Sequence, residues 1–374
     1  MTRAHRTGFV RALSLTIAAL AATSALAQEP KPAPTPTPEP TPAPAAEAPK
    51  IQVTGFVDVY YGYNFNKVDP LLRTFDVQHD SFSFSLAEVA FSKAVTTDSR
   101  VGFRADLDVG KTADLVASFE PEATGKEIYK HIQQAYVSVL AGSSVQLDAG
   151  KFVTPHGAEV IEAGDNWNYT RSVLFGYAIP FYHTGVRATV TASPKVAVAG
   201  YLINGWNDGI AIGGEKSFAL AVTLKPTDKV TWIGNYMVGK QEPDLDTRNL
   251  FDTTLTLTPT PKLSFMANFD YGKEGEVKWW GVAAYAKYAA NPHWTLVGRY
   301  EYLDDTEGGF MTFGTTAQTI TVTSDHTIAG SLKARLEYRT DFAAEPIFTK
   351  NDGSTTKNQT TLTVGLVYNF GGSI

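Results

Sequence analysis

Charged side chains in this chain recur at every second position. Lys333, Arg335, Glu337, Arg339 and Asp341 form one row, Arg299 and Glu301 a second, and Arg104, Asp106 and Asp108 a third. In an extended strand, residues two apart share a face, so each row is a charged wall. Arg187 stands beside a long irregular stretch that carries a further group: His156, Glu159, Glu162, Asp165 and Arg171. Charged rings around a water-filled passage select ions by sign. The same residues can instead pair across strands and stiffen the wall. If the stretch folds inward, its three acids would face basic wall residues, and the field between them would align polar solutes.

Neither group reads as a catalytic centre. There is no cysteine, which excludes thiol chemistry and cysteine-held metals. His79, His131, His156, His183, His293 and His326 lack the close spacing that would hold zinc, and no cofactor is expected. No nucleophile signature marks a Ser–His hydrolase. The formal charge is −6, and losing Arg3, Arg6 and Arg11 with an N-terminal leader would make it −9, which argues against nucleic acid as a partner.

The elements that position these rows alternate apolar and polar residues with a period of two. Leu332, Ala334, Leu336 and Tyr338 interleave with the first charged row, and Trp294, Leu296, Gly298, Tyr300 and Tyr302 with the second. Sixteen such runs can be counted, from 51–63 to 357–370. Many reach about eleven residues, whereas soluble strands average about five or six, and a tilted crossing of the hydrocarbon takes about 9–11. Short, turn-like connections alternate with longer ones along the chain. That asymmetry is expected of an outer-membrane barrel, with short periplasmic turns and longer outer loops. Trp294 and Phe370 would then lie near the periplasmic rim, and Tyr271 and Tyr302 near the outer rim.

The irregular stretch is the longest of the outer loops. Ala158–Ala163 is expected to form a helical turn, and Arg171–Tyr177 another, with Thr170 as its N-cap and Pro180 beyond its end. Leu174, Phe175, Tyr177, Ile179 and Phe181 need something to pack against. An inward fold of residues 155–180 that narrows the passage is the expectation.

Residues 1–27 read as a signal peptide: basic residues, then the apolar run Ala12–Ala22, then Ala25-Leu26-Ala27 before the cut. Residues 28–50 carry proline at nearly every second position and read as an extended periplasmic linker. The barrel occupies 51–374.

TGFVDVYYGYNFN (Thr54 to Asn66), DAGKFVTPHGAE (Asp148 to Glu159), NYTRSVLFGYAIPFYHTGVR (Asn168 to Arg187), LEYRTD (Leu336 to Asp341) and the closing QTTLTVGLVYNF resemble the OmpL-like β-barrel porins. The resemblance spans about Ile51 to Phe370. It implies an all-β, transmembrane, antiparallel up-and-down barrel of about 16 strands that passes ions and small hydrophilic solutes. It brings no catalytic residue with it. Thr363, Gly365, Tyr368 and Phe370 also resemble the terminal insertion signal of such barrels, although four residues follow the aromatic. The partners expected are outer-membrane lipid and the solutes themselves. A homotrimer and a periplasmic partner of the Pro-rich segment are two further assemblies open to the chain. The competing functions are a non-channel barrel acting as adhesin or envelope scaffold, and a barrel-embedded hydrolase.

Overall fold

The computed structural model describes residues 50–120, 126–211, 213–307 and 314–373. The signal peptide assigned to 1–27 and nearly all of the linker assigned to 28–50 lie outside the described residues. The barrel strands are β1 (Gln52–Asn64), β2 (Ser81–Lys93), β3 (Val101–Val109), β4 (Ile132–Ala141), β5 (Val145–Val153), β6 (Tyr182–Ser193), β7 (Val196–Ile203) and β8 (Ser217–Thr227). They continue as β9 (Val230–Lys240), β10 (Thr247–Thr260), β11 (Leu263–Glu274), β12 (Val277–Asn291), β13 (Trp294–Asp304), β14 (Thr316–Ala329), β15 (Leu332–Ala343) and a closing strand, Asn358–Ser373.

Each strand pairs with its chain neighbours, and the closing strand pairs antiparallel with both β15 and β1, which completes a closed barrel of sixteen strands. The β1 contact runs from Gln52–Ser373 to Asn64–Thr361. Gly371 to Ser373 therefore extend the ladder beyond Phe370 rather than dangling from it. Closure matters because an open edge would leave a row of unpaired backbone groups in hydrocarbon, each costing several kcal/mol. At the short-turn ends the register shifts between β6 and β7, β8 and β9, β10 and β11, β12 and β13, and β14 and β15. Such bulges add twist where the chain must reverse.

Burial is inverted relative to a water-soluble sheet. On β15, Leu336 is 51% and Tyr338 50% exposed, while Arg335, Glu337, Arg339 and Asp341 on the other face are at most 2% exposed. The same alternation puts Trp294, Leu296 and Tyr300 outside on β13 and Arg299 and Glu301 inside. An apolar outer belt of this extent suits lipid and not water. Trp294 at the short-turn end and Tyr271 at the long-loop end both face outward, as interfacial aromatics do.

Placing a charge on that belt should be costly. Leu336→Arg near the middle of β15 is expected to lower stability by about 2–4 kcal/mol. Equilibrium urea unfolding in phospholipid vesicles, read by tryptophan fluorescence, measures it.

Candidate functional site

The chain between β5 and β6, Thr154 to Phe181, has no strand partner, so its N–H and C=O groups need others. Many find them on the inward faces of β13 and β15. Arg299 donates to the carbonyls of Thr170 at 2.6 Å and Arg171 at 3.3 Å. Arg339 donates to the Arg171 carbonyl at 2.7 Å. Arg335 serves the carbonyls of Ala163, Asn166 (2.6 Å), Trp167 (3.3 Å) and Asn168 (3.3 Å). Carboxylates take the N–H groups. Glu337 accepts from Tyr169 N at 2.7 Å, Thr170 N at 3.1 Å and the Thr170 hydroxyl at 2.5 Å. Glu301 accepts from Val173 N at 2.6 Å, and Glu159 from Ser172 N at 2.6 Å.

These buried charges also neutralise one another. Arg299 pairs with Glu159 at 2.8 Å and Glu301 at 2.7 Å, Arg339 with Asp341 at 2.8 Å, and Arg335 with Asp325 at 2.6 Å. The inward hydroxyls of β14 complete the net: Thr319 donates to Glu301 at 2.5 Å and Thr323 to Glu337 at 2.6 Å. A guanidinium suits this work because its five donors lie in one plane and serve a carboxylate and carbonyls together.

The other side of the segment is apolar. Phe175 and Phe181 lie 5.3 Å apart, and both meet Phe75, at 6.1 and 6.0 Å. Phe75 comes from the first long loop, Phe65 to Asp80. That loop contributes a further buried guanidinium, Arg73, which bonds Asp341 at 3.0 Å, Asp76 at 3.2 Å and Thr361 at 2.7 Å. Tyr169 reaches past the closing strand to β1, where its hydroxyl donates to Asp58 at 2.9 Å. Gly365 makes that possible, since a Cβ there would stand 2.4 Å from the Tyr169 ring.

Only one of the two expected helical turns forms. It spans Val173–Tyr177, and its N-cap is Ser172, whose hydroxyl accepts from Phe175 N at 2.9 Å. Thr170 is not the cap because Glu337 holds both its N–H and its hydroxyl. The Ala158–Ala163 stretch is not helical: Asn166 bonds Val160 through both its N–H and its carbonyl, at 2.9 and 2.7 Å, and a 3-10 turn follows at Ala163–Asp165.

The five loop residues do not share one face. Glu159 touches Arg299 directly, and Arg171 turns back on its own segment, bonding the carbonyls of Val160 (3.2 Å), Tyr169 (2.5 Å) and Ile161. His156 is buried beside Thr154 (3.1 Å) and His183, and burial holds it well below the usual histidine range, so it is neutral. Glu162 points away from the basic rows. Gln133 donates to it and also to Glu88 at 3.3 Å, and burial pushes Glu162 above the usual carboxylate range. An acidic loop facing a basic wall across open space is therefore not the arrangement found. The basic rows are engaged by backbone, and Glu162 looks toward the acids of β2 and β3.

Open volume remains on both sides of the 164–166 tip. A cavity of about 520 Å³ is lined by Glu88, Arg104, Gln134, Glu162 and Asp165. A smaller one, about 240 Å³, lies against Lys287, His293, Lys333 and Arg335. Elsewhere on the wall, Arg104 pairs with Asp106 at 2.8 Å and Arg187 with Asp148 at 2.6 Å, while Asp108 is buried on the same inward face of β3. Asp148, Glu88, Lys287 and Asp325 escaped the sequence reading although each sits at an inward position of an alternating strand. Arg73 and Asp76 escaped it too. Their loop carries Leu71, Leu72 and Phe75, the same apolar signature that marked the longer segment.

Arg299→Met should leave Glu159 and Glu301 buried without the cation that both pair with. Breaking a buried pair costs about 3–5 kcal/mol. The expected outcome is new protease cleavage within 155–180 in a barrel that keeps its heat-dependent gel mobility.

A family model described as "Putative beta-barrel porin-2, OmpL-like" matches residues 50–370. Among solved structures, the fold is similar to OmpT of Vibrio cholerae, with 9% identity, a TM-score of 0.58, and 87% of this chain and 99% of that one covered. That protein has also been solved in a trimer form. The outer membrane channel DcaP of Acinetobacter baumannii is similar at 14% identity and a TM-score of 0.58, covering 87% and 99%. An anion-selective porin from Comamonas acidovorans is similar at 11% identity and a TM-score of 0.57, covering 86% and 99%. No curated protein sequence matches the chain.

Proposed function

Because the chain belongs to the OmpL-like family of putative β-barrel porins, and so is a barrel of the outer membrane, we propose that it is a passive channel for ions and small hydrophilic solutes, narrowed by the 155–180 segment. The observation that carries this reading is the set of hydrogen bonds from Arg299, Arg335 and Arg339 to that segment's backbone. A sixteen-strand barrel has a lumen too wide for wall side chains to fill. A segment bonded to one wall reduces that lumen without filling it, and the two cavities flanking residues 164–166, both at the short-turn end, support an open vestibule there.

Solutes would cross between charges of both signs, with Glu88, Glu162 and Asp165 on one side of the segment and Lys287 and Lys333 on the other. Such a lining favours hydrated polar solutes over apolar ones. No reaction on the solute is part of this function. The trimer form of the Vibrio cholerae protein supports a homotrimer as the working assembly.

Deleting Glu159 to Tyr177 should raise single-channel conductance in planar bilayers severalfold. The deletion also removes three acids, Glu159, Glu162 and Asp165, against one base, Arg171, so the reversal potential should shift toward anions. Conductance and selectivity equal to those of the intact chain would refute the narrowing, and a silent barrel in both forms would refute the channel.

A further inference from the structure

We propose that the smaller lumen cavity is a binding subsite for a small oxyanion, a phosphate or a carboxylate, held by Lys287 and Lys333. The inference rests on reading the lumen as a wet passage and adds a ligand class to it. The cavity lies at the short-turn end of β12 to β15, between those strands and the tip of the inward segment. Its volume, about 240 Å³, falls below the roughly 300 Å³ at which drug-sized sites begin. It still exceeds the roughly 30 Å³ share of a single water several times over.

The charges there are unequally engaged. Arg335 is saturated: it grips Asp325 with two nitrogens, both at 2.6 Å, and spends the rest on backbone carbonyls. Lys333 makes one long contact, Nζ to the Gly164 carbonyl at 3.3 Å. Lys287 lies over the Trp167 ring, 4.2 Å from its centroid, and Trp167 is itself braced edge-on by Tyr285 at 6.3 Å. Neither lysine forms an ion pair among the described residues. An ammonium carries three donors, so both retain donors for a ligand. The hydroxyls of Thr295 and Thr327 and the ring of His293 line the same space and can supply further hydrogen bonds. Against Lys287, Lys333 and Arg335 stand two acids in the lining, Asp165 and the already paired Asp325. The residual charge is positive. A cleft with low-dielectric walls concentrates such a field, and lysine rings select anions and phosphate in pores.

The test uses the full-length barrel in detergent, with inorganic phosphate as probe, read by ³¹P line broadening and titration calorimetry. Saturable binding is expected, weakened about tenfold or more in K287Q/K333Q, as the loss of charged hydrogen bonds implies. Lys262→Gln, in the exposed turn after β10, should bind as the parent does. Acetate should displace phosphate. No saturable binding in the parent, equal binding in the double variant, or displacement by chloride as effective as by acetate would overturn the proposal. Heat-dependent gel mobility verifies that each variant is folded. Phosphate binding in a barrel silent in bilayers would refute the channel and keep the subsite. Conductance without phosphate binding would refute the subsite alone.

Discussion

A stretch of backbone without a ladder, held inside a barrel, must replace water with something, and here wall side chains take that part. Three guanidiniums face the carbonyls of residues 163–171, and Glu337 and Glu301 of the wall, helped by Glu159 of the segment itself, face the N–H groups of 169–173. Burying such ions costs several kcal/mol each, and the cost is offset only when partners and geometry are complete. The contacts go far toward that: each guanidinium also meets a carboxylate, and Glu159, Glu301 and Glu337 each also take a backbone N–H. The interaction fixes register as well as position.

That constraint decides where the lumen can remain open. The β13–β15 wall is covered by the segment, and its charges are neutralised within that contact. In the proposed channel, solutes would therefore meet only what the contact leaves over, Glu88, Glu162 and Asp165 toward β2 and β4 and the two lysines toward β12 and β15. Summing the charged rows of the sequence would misjudge this field. Arg299, Arg335 and Arg339 are the most basic features of the rows, yet all three are at most 2% exposed.

The alternation of Leu336 and Tyr338 with Glu337 and Arg339 was enough to give strand, face and length, because a period of two is a local property. The sixteen strands and their closure follow from repeating that reading. What lies opposite an inward arginine is not local. Nothing in the spacing of Lys333, Arg335 and Arg339 tells a water-lined wall from one that holds backbone, since both want the same residue types. The cap failed for a similar reason: Thr170 and Ser172 are equally good caps by type, and Glu337, more than 160 positions away, chooses between them. The inward run of Leu72, Arg73 and Phe75 is as legible as the longer segment in hindsight. It is shorter, and an Arg amid apolar residues reads as a snorkelling surface side chain until Asp341 is placed beside it.

The apolar face of the segment explains why charge alone is not asked to hold it. Phe75, Phe175 and Phe181 form a small core inside the barrel, and Leu174, Ile179 and Trp279 join the same buried cluster. Trp279 on β12 donates to the Ala178 carbonyl at 3.0 Å, so the wall contributes to that core too. Apolar burial adds about 25 cal/mol per Å² without demanding a particular angle, whereas the guanidinium contacts demand one. The first makes the inward position favourable, and the second makes it unique. Screening by salt weakens exposed charges far more than buried ones. The segment should therefore hold its place over ionic strengths at which the open charges of the lumen lose most of their reach. If the barrel conducts as proposed, its selectivity should vary with salt while its width does not.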